Sequence, residues 1–138
     1  MTEAAIDKFI KRHHVMTLAT VSADGTPYCA NLFYAYDSGR NVLVFTSDST
    51  TRHAREMEAD TRVAASIVLE TRIVGKVQGV QICGTVVHGD ADDVKAYLKR
   101  FPYAAAIGKL EIWRLVPDFM KLTDNTLGFG KKLTWTRN

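Results

Sequence analysis

Two polar clusters in this chain carry residues suited to chemistry. The first, Thr46-Ser47-Asp48-Ser49-Thr50-Thr51-Arg52-His53, sets several hydroxyls and a guanidinium where a strand pattern gives way to a helical one. A phosphate there would meet free backbone N–H groups, the positive end of a helix, hydroxyl donors and Arg52. The same residues also describe a hydroxyl-rich helix cap with a solvated arginine. The second cluster, Asp124-Asn125-Thr126-Leu127-Gly128-Phe129-Gly130-Lys131-Lys132, ends small, flexible residues with two cations. Backbone amides and the Lys131 and Lys132 ammonium groups could converge there on an anion, with Phe129 offering an aromatic face. It also describes a turn between strands with exposed lysines. It is no P-loop, because Asn125 stands five before Gly130 and Leu133 follows Lys132, and it does not fit G-x-G-x-x-G.

Other reactive side chains point to no enzyme site by spacing. His13, His14, His53 and His88 lack metal-ligand spacing, so no metal centre is expected, although a lone histidine can ligate haem iron. Cys29 and Cys83 fall in strand patterns and read as inert, buried thiols kept reduced in a cytoplasmic protein. Trp113, Tyr34, Tyr36 and Phe45 can stack on a cofactor or fill a core. No side chain is singled out as a catalytic acid, base or nucleophile.

The elements that must position these residues follow from periodicity. Ile6, Phe9 and Ile10 form one face of a short N-terminal helix. Residues 15–22 are rich in β-branched side chains and stop at an Asp24-Gly25 turn, predicting a hairpin with a second strand over 28–36. A third strand over 42–47 completes a β-meander. Ser49 or Thr50 caps a helix with Ala54 and Met57 inside, before a strand over 62–69. Residues 77–88 are a long strand whose Gly79 and Gly84 mark bends. Asp90 to Arg100 has acids first and bases last, as a helix dipole favours, with Val94, Leu98 and Phe101 as its buried stripe. Strands over 110–116 and 119–123 are separated by Pro117, and a last strand covers 133–136.

The 138 residues, 46% hydrophobic and 24% charged, describe one soluble domain over 1–138. A net charge of +3 is too small to imply nucleic acid, and no apolar run reaches the length of a membrane helix. The expectation is therefore a cytoplasmic protein with no nucleic-acid or membrane partner. Six or seven short antiparallel strands with helices at connections make a mainly β fold, a small β-barrel. A barrel of that size is filled by side chains. A ligand must then sit outside it, where a second copy of the chain is the simplest cover.

Leu18-Ala19-Thr20-Val21, Asp24-Gly25-Thr26-Pro27, Val44-Phe45-Thr46, Thr50 to Arg52 and Gly84, in that order, resemble the pyridoxamine-phosphate-oxidase-like, FMN-binding split barrels. The run from Thr123 to Lys132, with Arg100-Phe101-Pro102 upstream, looks like the small YhbP-like branch, whose activity is not established. The resemblance implies a six-stranded antiparallel split β-barrel, a homodimer, and FMN at the subunit interface. By position, Thr46, Ser47, Thr50 and Arg52 would bind the ribityl phosphate, with His53 as a further candidate. Backbone groups of Ala30, Asn31 and Leu32 would line the isoalloxazine ring. Trp113 and the Lys131–Lys132 segment would reach it from the partner chain. The oxidases proper place an Arg and a Lys where Ala30 and Ala35 stand here, and their C-terminal substrate signature is absent. The expected function is a flavin-dependent oxidoreductase of unknown substrate; the alternatives are a haem or tetrapyrrole carrier and a non-catalytic member with a decayed flavin site.

Overall fold

A computed structural model describes residues 2–138. Helix α1 (Thr2–Arg12) turns Ile6, Phe9 and Ile10 inward, as their spacing predicts, and ends on Lys11 and Arg12. Strands β1 (Val15–Val21) and β2 (Pro27–Phe33) form the expected hairpin. β3 (Ala35–Asp37) and β4 (Val42–Thr46) follow, then α2 (Arg52–Ala59), β5 (Arg62–Val68) and β6 (Gln78–His88). Helix α3 (Ala91–Arg100), β7 (Ile112–Asp124) and β8 (Lys132–Thr136) complete the chain, with short 3₁₀ turns at Val74–Lys76, Pro102–Ile107 and Asn125–Leu127. Among the described residues no helix is long and apolar enough to cross a membrane.

The strands form one antiparallel sheet in the order β2-β1-β5-β6-β7-β4-β3, with β8 added on β7. This corrects the predicted meander. The segment 28–36 is not one strand: it breaks at Tyr34, whose N–H donates to His14 O at 3.0 Å and whose hydroxyl donates to Ile10 O at 2.6 Å. β2 therefore ends at one edge of the sheet and β3 begins at the other. A single residue spans only about 3.5 Å, so the two edges must lie side by side and the sheet must curl into a split barrel. Eight strands form against the expected six or seven, with Tyr34 dividing one predicted strand and β7 joining two others. The interior is packed with Leu18, Leu43, Phe45, Ile82, Leu115 and Met120, leaving no room for a ligand inside.

Three other expectations are corrected. Pro117 does not separate two strands; β7 runs through it, because a bulge that leaves Asp118 of β7 unpaired opposite Cys83/Gly84 shifts the register where proline lacks an N–H to pair. A Cβ on Gly84 would overlap the Val116 carbonyl, so only glycine fits. The inner side of α3 is centred on Asp93 and Tyr97, with Val94 and Leu98 half-buried, because Asp93 is drawn under the helix by Arg40 and Arg114. Cys29 and Cys83 are exposed, because strand alternation gives their neighbours, not them, to the barrel interior.

Candidate functional site

The polar cluster before α2 is largely satisfied within the chain. Thr51, not Ser49 or Thr50, caps the helix, its Oγ1 accepting from Ala54 N at 3.3 Å. Thr50 donates its N–H and hydroxyl to Asp48 Oδ1 at 2.8 and 2.7 Å, and Ser49 N–H donates to Glu111 Oε2 at 2.9 Å. Two amides offered by the sequence to a phosphate are thus held by carboxylates, and the Thr50 amide and hydroxyl keep the Asp48 carboxyl below its ordinary range. Ser47, buried at the end of β4, is hydrogen-bonded through Oγ to His53 Nε2 at 2.8 Å. Burial lowers the His53 imidazole against the upward pull of Glu56, so at neutral pH it adds no positive charge.

Arg52 is placed differently. Its guanidinium lies over the Tyr28 ring, 4.1 Å from the centroid, and its Nε donates to Glu56 Oε2 at 3.1 Å. Glu56 Oε1 accepts from Thr20 Oγ1 at 2.7 Å, and that hydroxyl, with Arg52, holds the Glu56 carboxyl below its ordinary range. Stacking and ion pairing fix the base of the Arg52 fork while the side chain stays 47% exposed. It faces a cleft of about 670 Å³ between the β1–β2 turn and α2, lined also by Asp24, Thr26 and Arg55. The Ser22 hydroxyl and Thr26 hold Asp24 ionised, at about 2. Arg55 Nη1 donates to Thr50 O at 2.7 Å.

Tyr28 joins this cleft to β2, which pairs with β1 on one side only. The other edge of β2 is a row of backbone donors and acceptors free to pair with a ligand. Ala30 and Leu32 are half-buried along it. Asn31 is exposed, its Oδ1 accepting from Thr17 Oγ1 at 2.9 Å.

Other predicted site residues lie elsewhere. Trp113 is only 4% exposed, in the core and stacked on His88 with ring centroids 4.1 Å apart. Thr46 pairs with Ile112 at one end of β7, whereas Lys131 and Lys132 follow its other end, at Asp124. Thirteen strand residues span about 40 Å at ~3.3 Å each, so one chain does not bring Lys131 and Lys132 to Arg52. Ala35 belongs to β3 and is buried, away from the free edge of β2. Sequence reading missed Tyr28, Asp24, Arg55, Glu56 and Thr20; only the Arg52–Glu56 spacing of one helical turn was visible. Among the described residues no group of His, Cys, Asp and Glu is placed to hold a metal ion.

Comparison with known proteins fits this geometry. Residues 2–124 match the pyridoxamine 5'-phosphate oxidase family. The chain belongs to that family. Within it, UPF0306 protein plu4501 of Photorhabdus laumondii is 38% identical over 136 residues, covering 96% of this chain and 94% of that protein. UPF0306 protein YhbP of Salmonella paratyphi A is 38% identical over 141 residues, covering 99% and 95%, so this member of the oxidase family lies in its YhbP-like branch. Among solved structures, a haem-binding protein from Mycobacterium smegmatis superposes with a TM-score of 0.81 at 17% identity, over 99% of this chain and 58% of that one. An FAD-binding protein from Mesorhizobium loti gives 0.70 at 17% identity, over 87% and 90%. At such identities the structures establish the split-barrel fold of this family member and nothing about its ligand.

Proposed function

We propose that this chain is a cytoplasmic, homodimeric FMN-binding protein, acting as a flavin-dependent oxidoreductase on a substrate yet to be found. The observation that carries the reading is the Arg52 guanidinium stacked on Tyr28, which sets a half-exposed cation beside the free edge of β2. The residues present fit the cofactor. Arg52 and Arg55 on the cleft rim would hold the phosphate, taking the place of cations missing at Ala30 and Ala35. Backbone groups of Ala30, Asn31 and Leu32 would pair with the polar edge of the ring. Thr50, Ser47 and His53 would shape the loop beneath the phosphate, their polar groups being engaged already. When bound, FMN supplies hydride or electron transfer, and the protein supplies position and exclusion of water.

Haem suits the site less well. An axial ligand needs a histidine at the site, and none lines the cleft that Arg52 faces. Titration of the purified protein with FMN tests the reading: bound flavin shifts the two visible bands and quenches flavin fluorescence. A protein that leaves both unchanged, or that gives a Soret band with haem at lower concentration, refutes it.

A further inference from the structure

The YhbP-like run Arg100-Phe101-Pro102 has no part in the Arg52 cleft. Its residues act together at the end of α3. Phe101 is buried against Tyr97, their ring centroids 5.0 Å apart, and caps the helix, its N–H donating to Tyr97 O at 2.9 Å. Pro102, which cannot extend the helix, opens the 3₁₀ turn Pro102–Ile107. The helix therefore stops with Arg100 as its last residue. The Arg100 guanidinium lies 5.4 Å from the centre of the Tyr34 ring and 5.7 Å from that of Phe101. Its Nη2 donates to Lys11 O at 3.1 Å and to His13 O, which holds the end of α3 against the end of α1. Nε and Nη1 have no partner among the described residues and are not buried. The guanidinium is thus fixed in place with donors to spare.

Arg100 borders a cleft of about 560 Å³ between α1, α3 and β3, lined also by Lys11, Lys99, Tyr36, Asp37 and Ser38. A helix dipole favours cations in its last turn. Here the last turns of two helices meet, which brings Lys11, Lys99 and Arg100 together. The acids nearby are engaged elsewhere. Asp37 accepts from Arg40 Nε at 2.7 Å, and Arg40 keeps its carboxyl below the ordinary range. Asp7, one helical turn before Lys11, accepts from the Tyr36 hydroxyl at 2.6 Å. Lys11, Lys99 and Arg100 form no ion pair among the described residues. His13 feels the same excess of positive charge: burial lowers its imidazole first, and Arg12, His14 and Arg100 lower it further.

We propose that the Arg100 cleft binds an anion of its own, the phosphate group of a small phosphorylated metabolite. Nε and Nη1 of Arg100 supply charge-assisted hydrogen bonds of fixed direction. The Lys11 and Lys99 ammonium groups offset the charge of about −1.5 to −2 that a phosphate monoester carries. Ala96 and the Tyr36 ring line the cleft beside them and cover a short carbon body, and the volume falls in the range of small-molecule sites. The cleft shares no lining residue with that of Arg52, so the proposal does not rest on the FMN reading.

Nitrogen-15 NMR of the full chain, titrated with inorganic phosphate and with glycerol 3-phosphate at constant ionic strength, tests the site. Both should give saturable shifts at the Arg100 Nε–H and the Ser38 amide, with glycerol 3-phosphate the tighter. Because Arg100→Ala also frees the Lys11 and His13 carbonyls, the lysines carry the mutational test. Lys11→Ala/Lys99→Ala should weaken both ligands about tenfold or more, with the urea midpoint unchanged. Arg52→Ala, and saturation with FMN, should leave the Arg100 shifts as they are in the wild type. Shifts that chloride reproduces, or equal affinity in the wild type and the double-lysine variant, overturn the site. Glycerol 3-phosphate bound no more tightly than inorganic phosphate overturns the metabolite assignment, as does a single-stranded oligonucleotide bound more tightly at the same resonances. Displacement of phosphate from Arg100 by FMN overturns the separation of the two clefts. A wild type that binds no FMN refutes the FMN reading, and the phosphate shifts still decide this site.

Discussion

The arginine–carboxylate clusters at Asp93 and at Glu56 differ in what they leave free. Under α3, Asp93 is fully buried and takes Arg40 Nη2 at 2.7 Å and Arg114 Nε and Nη2 at 3.0 and 2.7 Å, besides the Asp90 amide at 2.9 Å. Every lone pair that matters is used, and the cluster ties the β3–β4 turn, α3 and β7 together. Beside α2, Arg52 gives Glu56 one bond and Tyr28 its face, and the rest of the guanidinium is open to the cleft. The first arrangement spends its charge on the fold. The second keeps charge available while fixing its direction, as a ligand site requires.

The largest effect expected from breaking this contrast is on Asp93. Asp93→Ala leaves two arginines without their shared partner and should cost about 3–5 kcal/mol of stability in urea unfolding, with FMN affinity of the remaining folded protein unchanged. Acid should dissect the same cluster without mutation. Burial pushes the Asp93 carboxyl up, but Arg114, the Asp90 amide and Arg40 outweigh it and hold it at about 2. Since the folded value lies below the unfolded one near 3.9, its contribution of about 2 kcal/mol is complete above pH 4 and disappears as pH falls through 2. His53, whose imidazole burial lowers, adds a milder loss that begins as pH falls through about 6.5. Unfolding midpoints across pH 2–8 check both, and Asp93→Ala should flatten the acid limb.

At the cleft the pattern reverses. Arg52→Ala should cost less than about 1 kcal/mol of stability, as exposed ion pairs do, yet lower FMN affinity tenfold or more. Tyr28→Leu removes only the stacking that aims the guanidinium, about 0.5–1 kcal/mol, so a loss of roughly threefold in affinity is expected from the same titration. If Arg52→Ala proved as destabilising as Asp93→Ala, the distinction between the clusters would fail.

Much of this fold was legible because it rests on local pattern. Ile6, Phe9 and Ile10 repeat at helical spacing, Asp24-Gly25 closes a hairpin, and α3 has its acids first and its bases last, as a helix dipole favours. The misreadings occur where a distant contact decides. The alternation over 28–36 looks the same for one strand or two; Tyr34 breaks it through carbonyls of Ile10 and His14. Pro117 reads as a stop unless the bulge at Asp118, opposite Gly84 far back in the chain, absorbs it. The cleft shows the same division. Arg52 was visible as a cation at a helix start, but Tyr28, Thr20 and Asp24 meet α2 only after the barrel has curled.

The central claim is that Arg52, directed by Tyr28, anchors FMN beside the free edge of β2. Fluorescence titration of wild type and Arg52→Ala with FMN tests it most directly. The account predicts saturable quenching at one FMN per chain, weakened at least tenfold in the variant. No quenching in the wild type, or equal affinity in the two proteins, would contradict it.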